Sequence, residues 1–113
     1  MGQFVAGDIV VILFPFSDLS GSKHRPAFVI ADLPGDDIII CQITSRHKSD
    51  PFALPLTADD FISGSLPVNS FIRPNRIFTA DKNIILSTAG RASGAKTGEV
   101  VSAVINIITP KKD

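Results

Sequence analysis

Three short runs of β-branched and aromatic residues, each bounded by proline, glycine or a polar turn, constrain this chain more than any other feature. Asp8 to Phe14 (DIVVILF) is opened by Gly7 and stopped by Pro15. Arg25 to Asp32 (RPAFVIAD) carries its proline at the second position, near the strand start, where a missing N–H can be tolerated. Asp37 to Arg46 (DIIICQITSR) follows the turn Leu33-Pro34-Gly35-Asp36. In that third run Ile38, Ile40, Gln42, Thr44 and Arg46 fall on one strand face and Ile39, Cys41 and Ile43 on the other, with polarity rising toward the end.

Further short strands are predicted at Phe52 to Leu56, Leu66 to Arg73 and Arg76 to Thr79, punctuated by Asp, Gly, Asn and Pro. Strands this closely spaced imply a barrel or sandwich. From Thr97 the period changes: Val100, Val101, Val104, Ile105 and Ile108 recur at helical spacing, Thr97 can cap, Glu99 suits the N-terminal dipole, and Pro110 ends the run. Residues Gly90 to Gly98 read as a loose connection, and Phe16 to His24 as a surface loop. No repeat or linker splits the chain, so the expectation is one domain over 1–113, mostly β, with a C-terminal helix packed back on the sheet.

Composition narrows the function classes. At 113 residues, 44% hydrophobic and 19% charged, the chain has the balance of a folded globular protein. Eleven Lys and Arg offset eleven Asp and Glu, so no global positive field exists and any polyanion must be met by a local patch. The single cysteine, Cys41, sits in an apolar run; it allows no intramolecular disulfide or Cys-rich metal site and is expected to be a small buried hydrophobe with a raised pKa. No apolar run approaches the roughly 20 residues that span a bilayer, and the N-terminus lacks a basic region followed by a long apolar one. The cytoplasm is the expected location, with no membrane association.

Standard catalytic signatures are absent: no Gly-rich phosphate loop, no HExxH and only two histidines, His24 and His47. Neither metal nor cofactor is expected. The cations, however, cluster beside loops: Lys23, His24 and Arg25; Arg46, His47 and Lys48; Arg73 and Arg76 around Pro74. In an antiparallel ribbon the start of one strand lies beside the end of the next, so Arg25 and Thr44 can face one another. Taken singly, each residue has a plainer meaning. An Arg before a strand-start Pro is ordinarily solvated or paired with a carboxylate such as Asp8 or Asp18, Thr44 is a β-former, and Ser45 is a strand-end hydroxyl bonded to backbone. The phenylalanines are core by default, although Phe16 in the loop can stack on a base.

Taken together, Gly7-Asp8-Ile9-Val10, Phe14-Pro15-Phe16, the run Lys23 to Ile30, Ile43-Thr44-Ser45-Arg46 and the run Val68 to Thr79 resemble, in order and spacing, the PemK/MazF-like toxins of type II toxin–antitoxin systems. The resemblance extends to the final helix. It implies an SH3-like small β-barrel of the PemK/MazF/CcdB-like kind, a homodimer, endoribonuclease (mRNA interferase) activity on single-stranded RNA, and inhibition by a cognate antitoxin. DNA would be bound only as a toxin–antitoxin complex.

By motif, the family's catalytic arginine and threonine correspond to Arg25 and Thr44. A guanidinium fork suits the paired non-bridging oxygens that gain charge when a ribose 2′-OH attacks its neighbouring phosphate. Phe16, Ser17, Lys23, His24, Ser45, Arg46, His47, Arg73 and Arg76 are the auxiliary or RNA-binding candidates. The general base is left open, because Arg stays protonated, while His24 and His47 titrate in a suitable range but lack motif support. Residues Ser17 to His24 are expected to form a lid, and an antitoxin to fill the groove with an extended segment. Two rivals keep the fold and drop the chemistry: a gyrase-poison-like module that binds a protein target, and a dimeric nucleic-acid-binding regulator.

Overall fold

In the computed structural model, residues 3–15, 22–46 and 49–111 are described, the side chains of residues 14, 15, 22 and 23 excepted. Seven strands, β1 (Asp8–Pro15), β2 (Ser22–Asp32), β3 (Asp37–Thr44), β4 (Leu54–Leu56), β5 (Phe61–Gly64), β6 (Ser70–Asp81) and β7 (Ile85–Ala92), precede one helix, α1 (Gly94–Ile108). They form one antiparallel sheet in the order β4-β6-β3-β2-β1-β7-β5, curled into a half-barrel. Short 3₁₀ turns at Ala58–Asp60 and Lys82–Ile84 lead into β5 and β7.

The central ribbon β1–β2–β3 is buried on both faces, which is why its sequence reads as continuous apolar runs. On one face Ile9, Phe28, Cys41, Ile43, Leu56 and Ile72 pack together with Val100 of α1. On the other, Val10, Ile12, Ala27, Val29, Ile38 and Ile40 form a second cluster, with Phe4, Phe78 and Ile85 against it. Each fully buried Ile or Phe contributes about 1.5–3 kcal/mol of transfer free energy, so truncating Phe28 to Ala would cost about 3–5 kcal/mol. Burial also pushes the Cys41 thiol up to about 12, the inert small hydrophobe expected of it.

Bulges bend this sheet. The β2–β3 ladder slips between Val29 and Ala31, and the β1–β7 ladder slips twice. Between β3 and β6 the register jumps from Cys41↔Ile77 to Gln42↔Arg73, leaving Pro74, Asn75 and Arg76 outside the ladder. Pro74 has no N–H to give, so the ladder loops around it and resumes. The two strands predicted at 66–73 and 76–79 are therefore one strand, β6, interrupted by this bulge.

Other boundaries differ from the sequence reading. The strand predicted at 52–56 is only Leu54–Leu56, and the third ends at Thr44 rather than Arg46. Strands β5 and β7 were not predicted, and the stretch read as loose from Gly90 holds the end of β7 and the first turn of α1. Gly64 and Gly90 explain the misreading: a Cβ on Gly64 would lie 2.0 Å from the Ala89 carbonyl oxygen and one on Gly90 2.4 Å from that of Ser63. Glycine here lets two strands cross closely rather than loosening the chain.

The helix starts earlier than predicted because Ser93, not Thr97, caps it, accepting the Lys96 N–H at 3.1 Å. Thr97 instead donates its hydroxyl to the Ser93 carbonyl at 2.9 Å. Val100 and Val104 face the sheet, while Ile105 and Ile108 of the predicted stripe are 53% and 66% exposed. Among the described residues no helix is long and apolar enough to cross a membrane.

Candidate active site

At the far end of the β2–β3 hairpin from its turn, the ladder fixes which side chains meet. Ala27 pairs with Gln42. Arg25 and Thr44 each lie two residues further out on these antiparallel strands, so they form the next same-face pair. Ile12 pairs with Arg25 on one side and Phe71 with Thr44 on the other, giving one row across the sheet: Ile12, Arg25, Thr44, Phe71. On the opposite face the neighbouring rows carry Val11, Pro26, Ile43 and Ile72, then Leu13 and His24. His24 and Arg25 therefore leave β2 on opposite faces, as strand alternation requires.

A cavity of about 510 Å³ opens where these rows end. Val11, Pro26 and Ile43 give it an apolar floor, and Leu66, Pro67 and Val68, from the segment between β5 and β6, an apolar wall. Its polar lining is His24, Arg25, Ser45, Arg46 and Ser70, two arginines and a histidine with no carboxylate among them. Such a set of walls and donors attracts an anion carrying flat apolar groups, in a protein whose net charge is zero.

Thr44 is 7% exposed and is not in that lining. Its hydroxyl oxygen accepts the Arg46 N–H at 3.2 Å, so the strand-end hydroxyl bonded to backbone is Thr44, where the sequence reading had Ser45. The bond leaves the hydroxyl proton available to a further acceptor. Arg25 is half-buried and borders, besides the large cavity, a narrow cleft lined by Ile12, Pro26, Ala27, Gln42 and Phe78. Asp8, a carboxylate considered for it, is instead held by Arg91 at 2.8 Å.

The remaining cations divide. Arg46 is exposed in the cavity lining. Arg73 is not a free phosphate ligand: its Nε donates to Asp50 at 2.8 Å in a pair whose side chains are 14% and 5% exposed. Burial opposes ionisation of Asp50, yet the Phe52 amide and the Arg73 guanidinium hold its carboxyl below the usual range. Arg76 stands in the β6 bulge and donates to the Gln42 side chain at 3.2 Å, bordering a separate cavity. Phe16, Ser17, His47, the side chain of Lys23 and most of the expected lid lie outside the described residues.

Sequence reasoning passed over Gln42, Leu66, Val68, Ser70 and Phe78. Gln42 carried a signal, a lone amide in a run of isoleucines; Leu66 to Ser70 read as strand and, from Val68, as part of the family resemblance, but only the sheet's curl brings that segment against β2. Among the described residues no three His, Cys, Asp or Glu side chains group to hold a metal ion.

Residues 6–108 match the family model of the PemK-like, MazF-like toxin of type II toxin-antitoxin systems. No curated protein matches the sequence. Among solved structures, the fold is similar to an endoribonuclease in complex with its cognate antitoxin from Mycobacterial species, with a TM-score of 0.73 and 14% identity over 97% of this chain and 100% of that one. It is also similar to an endoribonuclease from Mycobacterial species, with a TM-score of 0.70 and 15% identity over 99% and 98% of the two chains. For a MazE–MazF crystal structure from Deinococcus radiodurans the TM-score is 0.71, with 23% identity over 91% and 94%. At these identities the likeness speaks for the fold.

Proposed function

The chain belongs to the PemK-like, MazF-like toxin family, and from that premise we propose that it is a metal-independent endoribonuclease that cuts single-stranded RNA. We read it as one domain, active as a homodimer in the cytoplasm and inhibited by a cognate antitoxin. The observation that supports this reading is that Arg25 and Thr44 stand at the same-face positions next beyond the Ala27–Gln42 pair, with Arg25 bordering a cavity whose described titratable lining is basic.

In this reading a ribose 2′-oxygen attacks the adjacent phosphorus, the bond from phosphorus to the 5′-oxygen breaks, and a 2′,3′-cyclic phosphate is left. Negative charge builds on the non-bridging oxygens, where the Arg25 guanidinium fork binds them in pairs and the Thr44 hydroxyl donates a further hydrogen bond. The 2′-proton passes to a base and the departing 5′-oxygen takes up a proton; His24 lines the same cavity but leaves β2 on the face opposite Arg25. Arg46 holds a flanking phosphate.

The experiment is incubation of a defined RNA with purified protein in EDTA, followed by analysis of fragment ends for wild type, Arg25→Ala and Thr44→Val. Cyclic phosphates from wild type and their loss in both variants are expected. Intact RNA with wild type, while expression of the chain still arrests growth, would transfer the assignment to a protein target.

A further inference from the structure

We propose that Gln42 and Arg76 form a base-reading subsite that selects guanine in the nucleotide next to the one cut. The inference rests on the nuclease reading above and adds to it a specificity that the catalytic pair does not supply.

Arg25, Thr44 and Gln42 share one sheet face, opposite the floor of the large cavity, and the recesses are linked through shared side chains. Arg25 and Pro26 border both the large cavity and the narrow cleft beyond Arg25. Gln42 and Phe78 border both that cleft and a further cavity of about 240 Å³, completed by Asn75, Arg76 and Ile77. A strand of RNA with its scissile phosphate at Arg25, on the face that Gln42 shares, thus has a neighbouring recess on that same face. Gln42 also lies one same-face step inward of Thr44 on β3, roughly 7 Å away by strand rise.

That recess exists because of the β6 bulge. Pro74, Asn75 and Arg76 leave the ladder, and Arg76 is thereby carried over the neighbouring strand to Gln42 instead of being held in register. Arg76 Nε donates to Gln42 Oε1 at 3.2 Å, which fixes the amide: with its oxygen engaged, Gln42 presents its NH₂. Arg76, exposed, keeps its terminal nitrogens for a ligand, and these are donors as well. Phe78 and Ile77 supply an apolar wall for a flat ring.

The chemistry of the corner is therefore two adjacent donors beside an apolar wall. Guanine offers two adjacent acceptors, O6 and N7, and a guanidinium reads that edge in pairs. Adenine and cytosine would set an amino group against these donors, while uracil offers one carbonyl where two acceptors are wanted.

The test is cleavage of a single-stranded RNA pool of random sequence by the full chain, with cut sites read by sequencing the cyclic-phosphate ends. Wild type should place guanine at one fixed position beside the cut. Gln42→Leu and Arg76→Ala should each lower that preference about tenfold, with preferences at other positions kept. Arg76→Lys, which keeps the charge and loses the fork, should retain the salt dependence of cleavage and still lose the guanine preference. Arg76 is exposed, so its variants test the subsite even if Gln42→Leu perturbs folding. Cleavage with no guanine preference, or with one unmoved in the Arg76 variants, overturns the inference alone; a wild type that cuts no RNA overturns the nuclease reading and the inference with it.

Discussion

The two ends of the β2–β3 ribbon are built from similar residues and put them to opposite use. At the turn end, Lys82 is fully occupied: its ammonium donates to the carbonyls of Leu33 and Gly35 at 2.9 and 2.8 Å and lies 2.6 Å from Asp32 Oδ1. Asp32 also accepts the Phe4 N–H at 2.9 Å, and these partners, Lys82 first, hold its carboxyl below the usual range. At the other end Arg25, Arg46 and His24 border an open cavity with no carboxylate among the described residues of its lining. Where a charge is enclosed by partners the protein gains rigidity; charges of one sign gathered at an open cavity mark a candidate ligand site.

The comparison can be broken first at Arg25. Arg25→Ala should lower RNA cleavage by about 100-fold to 1,000-fold, as for loss of a charge-stabilising donor, while the melting temperature moves far less. Kinetics on a defined RNA and circular dichroism melts on one preparation check both halves, and a large loss of stability would make Arg25 a structural residue.

Lys82→Met should do the reverse. It leaves the Asp32 carboxylate, 7% exposed at its side chain, without its cation, so the melting temperature should fall. Cleavage measured well below that temperature should persist.

Acid sharpens the same contrast. Asp32 and Asp50 both have folded pKa values below the ordinary 3.8. Each therefore adds stability that is complete above that value and is lost as pH falls through the lower folded one. Urea unfolding between pH 7 and pH 3 should show stability declining below about pH 4, and Lys82→Met should flatten part of the decline.

The smallest effect belongs to Arg46. Its replacement by Ala should remove about one phosphate contact, reducing the slope of log affinity against log salt by roughly 0.7 for a single strand. Binding titrations with a non-cleavable RNA at several salt concentrations measure it; an unchanged slope would return Arg46 to the solvated surface.

Legibility differed by element for physical reasons. β1, β2 and β3 announce themselves because strands buried on both faces need uninterrupted apolar side chains. β5 and β7 were hidden because they are edgeward, partly exposed and joined through Gly64 and Gly90, residues that alone read as loop. Ile105 and Ile108 fitted the helical period of Val100 and Val104 but lie exposed, since periodicity places residues on a stripe without saying how wide a stripe the sheet covers. Arg73 and Arg76 looked equivalent around Pro74; one is bound to Asp50 and the other reaches Gln42, a split produced by the bulge between them.

By itself the sequence determined which side chains share a face at the centre of the sheet, and so that Arg25 and Thr44 stand on one face of neighbouring strands, because alternation and turn chemistry are local and survive any tertiary arrangement. Tertiary structure alone decided that Leu66 to Val68 wall the cavity, that Lys82 locks a turn 47 to 49 residues away in the chain, and that Gln42 faces Arg76. These contacts depend on how far the sheet curls, and curl accumulates from bulges whose positions no single run of residues specifies.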